Sequence, residues 1–250
     1  MTTDALAALE RTIPAEHGVA PPRRLRPRDA ATLIIVDRMG SEPRILMGRR
    51  AAGHVFMPGR YVFPGGRVEA GDVALARHHP LGTDALARLT GMTTARFAER
   101  HAAALPLAAI RETFEEVGIR IGRPSDGGLS AGPGWAQFGE AGLVPDPGRL
   151  VPIARAITPP AAVRRYDTRF FAMEGSAAEI EARFQNRPTD ELDAVDWFTF
   201  EAAGQLSLAG ITRQILADLR GRLEDGSWLD ASVAMPFYRA ERGRFRRDLV

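Results

Sequence analysis

The stretch Arg111-Glu112-Thr113-Phe114-Glu115-Glu116-Val117-Gly118-Ile119 decides how this chain is read, together with Phe63-Pro64-Gly65-Gly66 upstream. Glu112, Glu115 and Glu116 stand at i, i+3 and i+4, a spacing that puts side chains on one helical face. At roughly 100° per residue from Leu107, the apolar residues Leu107, Ile110, Phe114 and Val117 fall within about 80° of each other, the stripe of a core-facing helix. The glutamates gather on the other side. Three crowded carboxylates repel one another unless a positive charge sits among them, and a hard divalent cation prefers oxygen ligands. Alone, a Glu-x-x-Glu-Glu run also describes a solvated helix face. The adjacent Arg111, the Val-Gly-Ile ending and the Pro-Gly-Gly turn favour a magnesium or manganese site, and such a site points to phosphate chemistry.

Pro106 suits the first turn of this helix, and Gly118 suits its left-handed end. Phe63 to Gly66 reads as a strand running into a tight turn, where glycine lets backbone approach a ligand closely. A backbone carbonyl of this turn, at Gly66, is a further candidate metal ligand.

These residues resemble the signature of the Nudix hydrolases: Gly, five residues, Glu, seven residues, then Arg-Glu-U-x-Glu-Glu-x-Gly-U, with U a bulky aliphatic. Gly66, five residues and Asp72 are similar to its first half, and Arg111 to Ile119 to its second. Asp72 replaces a Glu and Thr113 an aliphatic. The larger departure is the spacing, with 38 residues between Asp72 and Arg111. The insert, Val73 to Leu105, reads as helical: one piece from Asp84 to Thr90 and another from Thr93 to Ala104, with Thr93 or Thr94 as N-cap. Because it begins beside the carboxylates, it is placed either to wall a substrate or to decorate the surface. A split box resembles the peroxisomal-type coenzyme A diphosphatases and their bacterial relatives. Gly53 to Gly66, Ile157-Thr158-Pro159-Pro160 and Arg164 to Phe171 are similar to theirs. The resemblance covers about Arg28 to Leu223 and implies an α/β/α sandwich with a mixed sheet.

With 250 residues the chain is long enough for one full core. The expected layout is a lead-in at Met1–Pro27 and one domain over 28–250, with 73–105 inserted in the box. A formal charge of +2 does not argue for nucleic acid, and every basic residue other than histidine is arginine. Cysteine is absent, which rules out disulfides and thiolate metal sites. No apolar run approaches the roughly 18 residues that span a membrane. The N-terminus lacks a basic start before an apolar core. A cytoplasmic protein without a membrane or nucleic-acid partner is expected.

Strands are expected at Ala31–Asp37, Arg44–Arg49, Leu150–Ile157, Thr168–Met173 and Val195–Phe200. Helices are expected at Trp135–Gly139, at Ala177–Phe184, and through Ile211, Ile215, Leu219 and Leu223 at i+4 steps. Gly122–Pro133 reads as a glycine-rich loop.

In this reading Glu112 and Glu116 ligate the cation directly, and Glu115 holds a second ion or acts through water. Arg111 locks Glu112 by a charge-assisted hydrogen bond. The box carboxylates and Glu191 are candidate general bases; in the family an acidic residue of that loop often completes the site. Gly65, Gly66, Arg164, Arg165 and Arg169, with Arg49 and Arg60 as lesser candidates, would meet substrate phosphates. His54, His78, His79 and His101 show no metal-ligand spacing. The resemblance implies hydrolysis of a nucleoside diphosphate linked to another moiety, with coenzyme A or acyl-coenzyme A giving 3′,5′-ADP and 4′-phosphopantetheine. ADP-ribose, dinucleotides or nucleotide sugars are the alternative substrates, and a non-catalytic nucleotide sensor is the alternative of another class. A small nucleotide is the expected partner, and related enzymes are often homodimers.

Overall fold

Strand β1 (Arg28–Asp37) alternates its side chains between two buried clusters: Ala31, Leu33 and Ile35 enter one, Ile34 and Val36 the other. A strand apolar on both faces belongs inside a sheet covered on both sides. The computed structural model describes residues 25–53, 57–126, 132–160, 162–176, 191–241 and 244–250. Most of the lead-in, His54 and the helix expected at 177–184 lie outside these.

The main sheet runs β11-β10-β7-β8-β1-β2-β3, with β4 also paired to β1 and β9 to β2. Its members are β2 (Arg44–Arg50), β3 (Tyr61–Val62), β4 (Gly65–Arg67), β7 (Val151–Ile157), β8 (Tyr166–Glu174), β9 (Leu192–Thr199), β10 (Pro236–Glu241) and β11 (Arg244–Leu249). Pairs β1–β8 and β7–β10 are parallel and the others antiparallel, so the sheet is mixed. The first half of β1 pairs β4 and its end pairs β2. This change of partner leaves the Gly65-Gly66 turn beside β1.

Two helices cover the faces. Helix α3 (Glu99–Val117) packs on the Leu33 side and α6 (Gly210–Glu224), through Ile215 and Leu219, on the Ile34 side. This is the expected α/β/α sandwich. Shorter helices are α1 (Ala70–Leu75), α2 (Thr83–Thr90), α4 (Ala136–Glu140) and α5 (Phe200–Gln205).

Helix α3 corrects two expectations. It starts at Glu99, with Ala98 as N-cap, and carries Pro106 in its interior. The insert's second piece and the carboxylate helix are one element, and 93–98 form turns. An internal proline removes a helical hydrogen bond. Burial offsets this, since Ala102 to Ile110 are all buried. The glycine-rich loop also holds a strand, β5 (Gly122–Pro124), paired with β6 (Leu143–Pro145). The hairpin β10–β11 has no counterpart in the expected elements.

Candidate active site

Helix α3 ends at Gly118, whose φ of 74° is left-handed. Its last turns carry Arg111, Glu112, Glu115 and Glu116 against the glycine turn. Gly65 sits at φ 155°, and a β-carbon there would stand 2.4 Å from the Ala31 carbonyl oxygen. A β-carbon on Gly66 would fall 2.5 Å from the Glu112 carboxyl carbon. Only glycine lets β4 lie this close to the glutamates. The Gly65 N–H donates to Glu116 Oε2 at 2.8 Å.

The side chain of Arg111 is only 3% exposed and ties the site together. It donates from Nε to Asp72 Oδ1 at 3.0 Å and from Nη2 to Asp72 Oδ2 at 3.1 Å. Nη1 reaches Glu115 Oε2 at 2.7 Å, and Nη2 lies 3.0 Å from both Glu112 Oε1 and the Arg67 carbonyl. Asp72 also accepts from Trp135 Nε1 and from the Glu69 N–H. The two halves of the split box are thus joined by a buried bidentate ion pair. Glu115 leans on Arg111.

Carboxylate oxygens of Glu112, Glu116 and Glu191 lie within 4.8 Å of one another. Glu191 stands immediately before strand β9. The β2–β9 register slips between Arg49 and Arg50, a bulge of the kind that re-aims side chains. The Ala51 N–H donates to the Glu191 carbonyl at 3.1 Å. Gly48 leaves room for Leu192, whose Cδ1 would sit 2.5 Å from a β-carbon there. Across the bulge Arg49 pairs with Asp193 at 2.8 Å. Arg50 instead lines the pocket, and its Nε is buried with no hydrogen-bond partner among the described residues.

The trio lines a cavity of about 310 Å³. Gly65, Gly66, Glu112, Glu116, Glu191 and Arg164 line it, from the residues singled out in the sequence. The other arginines have partners elsewhere. Arg60 donates to the Leu208 carbonyl, and Arg165 to those of Thr158 and Leu25. Arg169 is fully buried, paired with Asp29 and Asp167 under the Phe97 ring. It shares a strand face with Phe171, which packs towards α3. The described insert, 73–105, gives no residue to the cavity wall. Its Gly91 and Met92 carbonyls accept from Arg155, which fixes it to the sheet. Sequence reading missed Arg50, Arg67, Tyr166 and Thr168 of the lining. The signal for Arg50 was its adjacency to Arg49, since neighbours on a strand point to opposite faces.

Electrostatics fit a cation. Burial pushes Glu112 up to about 7, with Arg111 opposing and Glu115 and Glu191 adding to it. Glu116 is raised well above the ordinary range, chiefly by burial, against the Gly65 N–H. Glu115 is raised by burial, with Arg111 opposing. Hard oxygen donors that crowd charge in a buried place match a divalent ion.

This arrangement has a pH signature. In the metal-free protein Glu112 holds its proton up to about 7, while the unfolded chain releases it near the ordinary 4.5. Below both values Glu112 contributes nothing. Between them the unfolded state sheds its proton first, so stability falls as pH rises, by about 3 kcal/mol over the interval. In EDTA, urea melts of wild type should lose stability relative to Glu112→Gln between about pH 4.5 and 7, and Mg²⁺ should restore it at the upper end. Parallel pH profiles for the two proteins would contradict this.

No family model matches the chain. Among solved structures it is similar to a NUDIX hydrolase from Alicyclobacillus acidocaldarius, with 27% identity and a TM-score of 0.57 over 77% of this chain and 90% of that one. Two others share less. The NUDIX domain of Shewanella oneidensis NrtR, complexed with ADP ribose, has 13% identity and a TM-score of 0.47 over 89% and 99% of the two chains. A C. elegans Ap4A hydrolase has 14% and 0.44 over 79% and 98%. Only the first bears on function. The mixed sheet, the carboxylate helix and that likeness define a Nudix-fold enzyme, a pyrophosphohydrolase.

Proposed function

We propose that the enzyme works with Mg²⁺ or Mn²⁺ and that its substrate is coenzyme A or an acyl derivative, cleaved to 3′,5′-ADP and a 4′-phosphopantetheine species. The observation that carries the reading is the convergence of Glu112, Glu116 and Glu191 on the wall of the cavity. The split box and its flanking stretches support the choice of substrate.

Glu112, Glu116 and Glu191 would hold the cation, with the Gly66 carbonyl as a further donor. When bound, the ion supplies charge neutralisation at the diphosphate and a lowered pKa for attacking water. The residues do the rest. Gly65 keeps Glu116 in place through its N–H. Arg111 holds Glu112 and Glu115. Glu191 is the exposed member of the trio and takes the water proton as general base. The water oxygen bonds to phosphorus, and the bridging P–O bond breaks. Arg50 and Arg164, both on the cavity wall, face the phosphates; arginine suits them through paired donors.

The same reading makes the enzyme cytoplasmic and homodimeric, with a small nucleotide rather than nucleic acid or membrane as partner. Among the described residues no helix is long and apolar enough to cross a membrane. The test is purified protein with Mg²⁺ or Mn²⁺ on coenzyme A, acyl-coenzyme A, ADP-ribose, dinucleotides and nucleotide sugars, with products identified. Coenzyme A or its thioesters should turn over fastest, and only with metal. Faster cleavage of ADP-ribose would move the substrate assignment. Intact substrates throughout would overturn the reading.

A further inference from the structure

Beyond the trio, the cavity continues across the sheet as a trough with an unusual floor. Ala30 of β1 lies opposite Thr168 of β8, and Thr168 opposite Ala156 of β7. All three line the cavity. Small side chains in register on three successive strands leave a channel perpendicular to the strands. Larger neighbours bound it. Tyr166 and Phe170 stand two residues either side of Thr168, on the same face of β8, and both line the wall. From β4, which carries the glycine turn, to β7 is three strand spacings, about 14 Å. Ile211 of α6 and Phe245, which the C-terminal hairpin brings in and which is 9% exposed, also line the cavity.

The wall combines charged and apolar groups: Arg50, Arg67 and Arg164 line it with the trio, and so do Ile157, Phe170 and Ile211. Among the described residues, the lining beyond the trio contains no Asp, Asn, Gln or His to read the edge of a base or the hydroxyls of a sugar. A row of small side chains across three strands suits an extended chain better than a compact ring. Resting on the proposed activity, we infer that the trough takes the pantetheine arm and that Phe245 with Ile211 receives an acyl group at its end, so that the C-terminal hairpin sets the preference for acylated substrate. Phe245 acts here as a specificity residue, outside the reacting centre.

The experiment reads binding, so it does not depend on turnover. In a Glu116→Gln background, titration calorimetry measures free coenzyme A and its butyryl and octanoyl thioesters. Affinity should rise from free coenzyme A to octanoyl by about tenfold, the scale of added apolar contacts in a fitted pocket. Phe245→Ala should abolish that gain and leave free coenzyme A within about twofold of the parent. Ala156→Leu, which fills the floor, should weaken the octanoyl thioester most. Chain-length dependence that persists in both variants, or that is missing from the parent, overturns the inference. So does an equal loss for all three ligands. If Phe245→Ala does not fold, Ala156→Leu decides alone. Hydrolysis assays on the parent wild type separate the two claims. Length-dependent binding without cleavage would sink the activity and keep the trough, and cleavage indifferent to acyl length would do the reverse.

Discussion

Replacing Glu116 with Gln should abolish turnover and leave the fold intact, with kcat lowered by about 10³-fold, the scale on which positioned charge and acid–base groups act. Gln keeps an oxygen where Glu116 accepts the Gly65 N–H, so the contact between helix and glycine turn survives. What is lost is a formal negative charge in a nearly closed position, and with it one hard ligand for a cation. The change also removes a group that burial and the neighbouring Glu112 hold far above its ordinary pKa. The metal-free variant should therefore melt at or above the wild-type temperature at neutral pH. Steady-state kinetics with Mg²⁺ and thermal melts in EDTA check both halves. Activity near wild type would remove Glu116 from the site. A collapsed fold would make its role structural.

The second large effect is on stability. Asp72→Ala should cost about 3–5 kcal/mol, the usual result of leaving one partner of a buried ion pair uncompensated. Asp72 is fully buried and accepts two bonds from Arg111, one from Trp135 and one from the Glu69 N–H. Arg111→Met should cost a similar amount. The double variant should cost much less than the two together, because residues in direct contact do not add. Urea unfolding of the four proteins reads the coupling. Additive losses would show that the pair does not hold the two halves of the box together. A loss of activity of about 10- to 100-fold should accompany either single change, since Arg111 also holds Glu112 and Glu115.

How much of this was legible beforehand follows from how local each feature is. The glutamate spacing and Gly118 are properties of one helix, and both appear where the spacing puts them. The strand faces of β1 follow from alternation. The helix start does not, because Pro106 is a poor interior residue by propensity and a tolerated one once its neighbours are buried. Arg49 and Arg50 show the limit of reading a strand without its partner. Alternation says that they point apart, and only the bulge opposite Leu192 says which one meets the cavity. Arg169 lies in a motif that resembles a substrate-binding stretch, yet its strand face is turned to the buried side. The insert begins next to the carboxylates along the chain and ends up bolted to the sheet by Arg155, away from the cavity.

The sequence alone determined that a helix with an apolar stripe carries a cluster of carboxylates, that a glycine turn accompanies it, and that the surrounding pattern is α/β. These are one-dimensional facts, set by periodicity and by the conformational freedom of glycine. Tertiary structure decided which carboxylates meet. Glu191 joins Glu112 and Glu116, while Glu115 turns to Arg111. It also decided that Asp72 is an anchor across 39 positions, and that Phe245 of the C-terminal hairpin lines the cavity. Distance along the chain carries no information about such meetings; strand register and helix packing do.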